Sequence, residues 1–588
     1  MKKMLHEQHA NPVHDCTGFR RASNSRNHLL LLLHLAVIVV ALLAAARSTA
    51  QDKAAEVDKI FDWTSPTSPG CVCAVSQNGT VVINKAYGSA DLERDVALTP
   101  NAVLDAGSLT KQFVAAAALI LVEEKLISLS DDVRKYIPEL HDYGQKITID
   151  NLLTHTSGIR DWTGIKPLSA SNDEVLKIIL RQRSLNFNPG EEWSYSNSGF
   201  VLMKEIIARV SGNSFSAYTT KKLFEPLGMK STKYVEDMRD VIPNRALAYD
   251  KDGGRWKIAM LMDNERGGGG ILTTASDLLI WNEAIAGKKI SAFVSEKIQE
   301  PAQLNNGRKL SYARGLFLDS TDQGTAFWWH GGSADGYKSV LVRFPSEKIS
   351  IAIMCNSGDN TDRIGFARKI YTLYAPAKTA SGKNKVVPPV VINGADTTII
   401  KIDDKAGLFF NDVTGEPLRI GVSNNSLRIA GGPRMTTVTK DHFKSNGTNI
   451  EFMSNDEFDL KFISSDKLEL KTKEGKIKSY HRSKPLTLSE TDLKTFAGRF
   501  VSDEIGAAFR IEVKGKALSL HLEHGPGRTL EFTSVDTDTF QANRMFLRFQ
   551  RDKSGKVISL EYTNPVLRNV KFVRLNQQNM NTGSVGFN

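Results

Sequence analysis

Ser108 and Lys111, in Gly107-Ser108-Leu109-Thr110-Lys111, form the first pair in the chain whose types and spacing can do chemistry together. Residues three apart share a helix face, so the hydroxyl and the amine can meet. A serine hydroxyl is a weak nucleophile until a base takes its proton. Lysine is such a base only when neutral, a state that burial favours by lowering its pKa. A helix N-terminus also favours negative charge on a reacting carbonyl oxygen. Alone the spacing says little, since Ser-x-x-Lys recurs by chance and Ser108 could equally be an N-cap.

Two later stretches add to it. Tyr195-Ser196-Asn197 follows Pro189-Gly190-Glu191-Glu192-Trp193 and precedes a helical pattern. A phenol beside a lysine can share its proton and act as acid or base. An amide two residues on can orient a substrate carbonyl or amide. Trp329-His330-Gly331-Gly332-Ser333 leads into a β-branched run. Its glycines let a substrate backbone approach a strand edge, and the Ser333 N–H can complete an oxyanion hole with that of Ser108. Other polar residues have plainer readings. His155 is expected at a helix end, Arg160 and Asp161 as a loop pair, and Glu191 in a turn.

The elements that must hold these groups are legible by periodicity. Cys71–Val75 and Thr80–Tyr87 read as strands around the hairpin signal Gln77-Asn78-Gly79. A helix is expected from Ser108, with Phe113, Ala116, Ala117, Ile120 and Leu121 on one face, and a second over roughly 199–210. A third opens at Thr274, and strands return at 336–344 and 349–355. Strands at both ends around helices imply an antiparallel sheet closed by the two ends of this region. Residues 376–392 read as a linker. Beyond it the pattern alternates and repeats. Ala406-Gly407, Asp412, Gly415, Arg419-Ile420, Val422 and Leu427 recur 91 residues later as Ala497-Gly498, Asp503, Gly506, Arg510-Ile511, Val513 and Leu518. Two tandem all-β modules, 393–485 and 486–576, are expected, each a small barrel or sandwich without its own chemistry.

The 588 residues, 41% hydrophobic and 24% charged, describe a globular chain of several domains. The net charge of +11 is spread without long basic blocks, so a nucleic-acid partner is not expected. Residues 1–50 read as a signal peptide. Arg20, Arg21 and Arg26 precede the apolar run Leu29–Ala46, and Ser48-Thr49-Ala50 offers a cleavage site. A periplasmic or secreted protein follows, with membrane attachment only if the segment stays uncleaved. Cys71, Cys73 and Cys355 read as buried small apolar side chains, with no metal site.

Ser-x-x-Lys, then Tyr-x-Asn, then His-Gly-Gly resembles the serine β-lactamase-related family. The Tyr-x-Asn form is similar to the branch of class C β-lactamases, D-Ala-D-Ala carboxypeptidases, D-aminopeptidases and esterases. Leu152–Ile159, Phe224–Met229 and Gly269–Thr274 are phrases of that branch. The likeness covers about 65–375 and implies an α/β (α+β) fold for 51–375: a transpeptidase-like antiparallel sheet flanked by helices, with a helical subdomain. It implies that Ser108 is acylated, Lys111 and Tyr195 move protons, and Asn197, His330, Gly331 and Gly332 hold a small ester, amide or peptide, without a cofactor. His330 stands where β-lactamases and penicillin-binding proteins have lysine, so neutral acyl groups are expected to outrun β-lactams. Lowering the pH toward about 6, near the ordinary histidine pKa, is expected to narrow that gap. True β-lactamase or D,D-carboxypeptidase activity, and a sensor that acylates without turnover, remain alternatives. A chain ending near Pro388 is expected to keep its activity.

Overall fold

The computed structural model describes residues 51–575 apart from 170–173, 261–268, 322, 360–361, 377–401, 424–425, 430–434, 447–456, 473–474 and 524–528. The signal segment 1–50 and nearly all of the 376–392 linker lie outside the described residues. Residues 51–60 are helical and belong to a first unit ending at Trp63; everything that follows concerns the second, Thr64–Asn588.

The hydrolase-like region is built on one antiparallel sheet of six strands: β1 (Cys71–Gln77), β2 (Thr80–Tyr87), β3 (Phe317–Ser320), β4 (Ala326–Ala334), β5 (Tyr337–Phe344) and β6 (Ile349–Cys355). Their order is β3-β4-β5-β6-β1-β2. The first strand therefore pairs with the last, Cys71 opposite Cys355 through Gln77 opposite Ile349. The apolar runs of β1 and β6 explain their central place, since both are buried on both faces. Asn78 and Gly79, both with positive φ, turn β1 into β2.

Helices α1 (Thr110–Glu123), α2 (Ile149–Leu153), α3 (Asn197–Ser211), α4 (Ala275–Ala286) and α5 (Arg363–Tyr374) fill the rest of this frame. Helix α4 packs on β1 and β6, and α5 on β5 and β6. Helix α1 is buried around nearly its whole circumference, from Thr110 to Leu121, which its run of four alanines permits. The Thr274 hydroxyl caps α4 by accepting from the Asp277 N–H at 3.2 Å.

Cys71 and Cys355 are joined by a disulfide, a pairing the sequence left open, and the reading as a small buried apolar side chain holds for the free Cys73. The bridge depends on β1 pairing with β6, a contact across 284 residues that spacing alone does not give.

The 91-residue repeat becomes two barrel-like sheets of eight strands each. The second, from Gly498–Ser502 to Leu567–Arg574, closes on itself. The first, from Gly407–Asn411 to Ile477–Arg482, also pairs its first strand with its last. Gly407 and Gly498, and Gly415 and Gly506, share positive φ, so the repeat is one of conformation as well as sequence.

The barrels do not stand apart from the region built on the six-stranded sheet. Ile165, Leu168 and Ile178 share one buried cluster with Phe500, Leu560 and Leu567 of the second barrel. The Arg568 guanidinium meets Glu192 and Glu416, each at 3.0 Å, tying that first region to both barrels. These contacts count against a self-sufficient chain ending near Pro388, which would bare that apolar face.

Candidate active site

Ser108 lies in a single 3-10 turn, Gly107–Leu109, that runs into α1. The Gly107 N–H donates to Asp105 Oδ1 at 2.7 Å, and the Ser339 hydroxyl donates to the Ala106 carbonyl at 2.7 Å. The first bond closes the turn on its own chain, and the second pins it against β5. A Cβ on Gly107 would come 2.5 Å from the Ser333 nitrogen, and one on Gly332 would come 2.0 Å from the Ala106 oxygen. Glycine at both places lets the end of β4 lie against the nucleophile turn, bringing the Ser333 N–H beside it. Strand β3 pairs only as far as Phe317 opposite Trp329. Among the described residues, β4 from His330 onward therefore has no strand on that edge. An extended substrate can lie there.

Lys111 is fully buried one turn along. Its Nζ donates to Ser108 Oγ at 3.1 Å and to Asn197 Oδ1 at 2.8 Å. Burial brings its pKa down to about 7, with Asp161 opposing and Lys204 adding to the shift. It also lies 4.8 Å from the centre of the Tyr195 ring. Ser108, Lys111, Tyr195 and Asn197, picked out across 90 residues, thus converge on one point.

Asn197 opens α3 and is oriented by a carboxylate that local pattern did not reveal. Asp161 Oδ2 accepts from the Asn197 side-chain amide at 2.9 Å and from its backbone N–H at 3.1 Å. The other oxygen, Oδ1, accepts from the Thr163 N–H at 3.0 Å. Asp161 is thus no partner of Arg160. It fixes which way the Asn197 amide points, presenting Oδ1 to Lys111. Arg160, buried, pairs instead with Glu504 of the second barrel and donates to the Arg568 carbonyl at 3.0 Å. Glu504 Oε1 also accepts from the N–H groups of Arg183 at 2.8 Å and Ser184 at 3.1 Å.

His330 is buried, only 1% exposed, with both ring nitrogens engaged: Nδ1 on the Gly331 carbonyl at 2.6 Å, Nε2 with the Tyr312 hydroxyl at 3.4 Å. Burial, aided by Lys111, pushes its pKa down to about 3. Burial therefore counts against the expectation that this ring begins to charge near pH 6. His155 follows α2 with positive φ and is also buried, its pKa held well below the usual histidine value by burial and by Lys111. It is more than a helix-end residue, since its ring lies 4.4 Å from that of Tyr195. Positive charge at the strand edge comes from elsewhere. Lys338 donates to Ser333 Oγ at 2.7 Å, and Arg363 to the Gly332 carbonyl.

Known proteins resemble this chain. A family model described as Beta-lactamase matches residues 55–371. Penicillin-binding protein 4* of Bacillus subtilis is 26% identical over 310 residues, covering 49% of this chain and 68% of the relative. D-aminopeptidase of Brucella anthropi is 23% identical over 537 residues, covering 86% of this chain and 95% of the relative. Protein flp of Staphylococcus aureus is 27% identical over 320 residues, and the match spans 63% of its length. Among solved structures, a penicillin-binding protein homologue from Pyrococcus abyssi is 23% identical, with a TM-score of 0.48 over 74% of this chain and 99% of that one.

Proposed function

The chain belongs to the Beta-lactamase family of serine hydrolases, and we propose that its own reaction is the cleavage of an ester or amide of the D-amino-acid amide and peptide kind. The carrying observation is Lys111, buried, 3.1 Å from Ser108 Oγ, with a pKa near 7. In its neutral form Lys111 takes the Ser108 proton as Oγ attacks the substrate carbonyl. The Ser108 and Ser333 N–H groups receive the developing oxyanion. The leaving amine or alcohol departs with a proton delivered by Lys111 or Tyr195, and water then releases the acyl group from Ser108. Asn197, aimed by Asp161, holds the substrate amide, and the Gly331–Gly332 edge holds its backbone. The match to D-aminopeptidase along nearly its whole length supports the amide reading.

A second reading has its own observation. Lys338 and Arg363 flank the strand edge, so a substrate carboxylate would find cations there although His330 is neutral. That arrangement suits a β-lactam or a D-Ala terminus. Parallel kcat/KM values for p-nitrophenyl esters, D-amino-acid amides and nitrocefin decide between them. Esters and amides are expected to lead. The ester-to-nitrocefin ratio should stay level between pH 8 and 6, because His330 gains no charge in that range. Nitrocefin turnover far above both neutral classes would favour the second reading, and a ratio that falls several-fold toward pH 6 would show His330 titrating.

Export is part of the proposal. The segment before Gln51 and the Cys71–Cys355 bridge agree, since disulfides persist in oxidising compartments. We propose a periplasmic or secreted location.

A further inference from the structure

We propose that Tyr312 is a positioning residue: through two neutral histidines it wires the Tyr195–Asn197 loop to the substrate-edge strand β4. Every link has a defined direction. The Ser196 N–H, between Tyr195 and Asn197, donates to His155 Nδ1 at 3.1 Å. A nitrogen that accepts carries no proton, so the His155 proton is on Nε2. That Nε2–H donates to the Tyr312 oxygen at 3.1 Å. At the far end, His330 Nδ1 meets the Gly331 carbonyl at 2.6 Å, which only a donor can do. His330 Nε2 is therefore bare and accepts the Tyr312 O–H at 3.4 Å. The chain runs from backbone amide to backbone carbonyl, and the Tyr312 hydroxyl is the one place where its two halves join. A proton added to His155 would set Nδ1–H against the Ser196 N–H, and one added to His330 Nε2 would turn the Tyr312 O–H away, so the chain keeps these directions only while both rings are neutral.

The hydroxyl is held in place from its own loop. Gly315 packs so tightly that a Cβ there would come 2.9 Å from the Gln112 nitrogen and from the Lys111 carbonyl carbon. Arg314 anchors the same loop, donating to Asp150 at 2.7 Å and to the Lys297 carbonyl at 2.7 Å. The Tyr312 ring sits 4.8 Å from Phe317 and 5.6 Å from Trp193. One loop thus refers three parts to each other: α1 carrying Lys111 through Gly315, and, through Tyr312, the turn carrying Tyr195 and Asn197 and the strand carrying Gly331 and Gly332. The Tyr195 ring rests on His155 at 4.4 Å, so fixing that imidazole fixes the phenol. Tyr312 touches no reacting atom; it acts through what it aligns, where small displacements cost rate steeply.

The kinetic part of this inference rests on the serine-hydrolase reading above; the tautomer part does not. Nitrogen-15 NMR of the ring-labelled protein is expected to find His155 protonated on Nε2 and His330 on Nδ1. In Tyr312→Phe the His330 Nε2 signal should move to the position of a ring nitrogen without a hydrogen bond. In that variant kcat should fall on the order of ten- to a hundredfold, the scale of a buried polar group left unpaired, with KM nearly unchanged. A His330 proton on Nε2 in the wild type would overturn the wiring. Wild-type kcat in a folded Tyr312→Phe would overturn the positioning role. If that variant does not fold, the wild-type tautomers alone decide. A protein with the expected tautomers that turns over no ester or amide would instead count against the functional reading.

Discussion

Lys111→Met is expected to lower kcat/KM on an ester or amide by about 100- to 10,000-fold, the usual worth of a positioned general base, while making the folded protein more stable. Both effects have one cause. Burial lowers the Lys111 pKa from 10.5 to about 7, so the charged amine is strongly disfavoured in the folded state. At about 1.4 kcal/mol per pKa unit this costs several kcal/mol wherever the unfolded chain would carry the charge. The sign follows from the depressed folded-state pKa of a base. The unfolded chain holds the proton between about pH 7 and 10.5 and the native state does not, so wild-type stability rises across that window. Methionine fills the space without the charge, so its advantage should be largest at pH 7 and below and should shrink toward pH 10. Thermal melts at pH 6 and pH 9 check this. In the wild type, kcat/KM should climb through about pH 7 to a plateau. A variant less stable than wild type at both pH values would mean that the bonds to Ser108 and Asn197 outweigh the burial penalty.

Glu504→Ala is expected to cost about 3–5 kcal/mol of stability, because it leaves the Arg160 guanidinium buried and unpaired. Arg160 is 2% exposed and immediately precedes Asp161, the carboxylate that aims Asn197. The Arg160 carbonyl itself accepts from the Ser198 hydroxyl at 2.7 Å, in the first turn of α3. Loss of the ion pair therefore reaches the substrate-holding amide, and kcat/KM should fall roughly tenfold in the protein that remains folded. Glu504→Gln, which can still accept, should lose less of both. Urea unfolding and steady-state kinetics on the two variants read the effect. A change below about 1 kcal/mol, the worth of an exposed pair, would mean that the second barrel is only an appendage. The same contact explains why a chain stopped near Pro388 should be compromised, although Ser108, Lys111, Tyr195, Asn197 and His330 all precede that point.

What the sequence revealed and what it hid divide along a physical line. Ser108 to Lys111 is one helical turn, and Tyr195 to Asn197 is one turn entry; short spacings carry their own geometry. The β1–β2 hairpin and helices α1, α3 and α4 follow from local periodicity and capping. The 91-residue offset showed the barrels because matching residues recur wherever matching backbone conformations recur. The hidden parts depend on partners far along the chain. Asp161 beside Arg160 reads as a pair, yet their partners lie 36 residues away at Asn197 and 344 residues away at Glu504. Tyr312 belongs to no recognisable motif, and its role appears only when β4 and the end of α2 are placed around it. Cys71 and Cys355 each sit on a legible strand, but their bridge needs the sheet order. The burial that lowers the His330 pKa was hidden because it is a tertiary property, whereas a lysine-to-histidine exchange shows only the change in intrinsic basicity.

The most direct measurement of the central claim is mass-spectrometric mapping of the covalent adduct formed when the full chain reacts with a fluorophosphonate probe. The account predicts a single adduct on the peptide carrying Ser108. It should be absent from Ser108→Ala, a variant expected to fold normally because Ser108 makes no capping bond, and its formation should speed up as the pH rises through about 7 with Lys111. Full labelling of Ser108→Ala at another serine, or no labelling of the folded wild type, would contradict it.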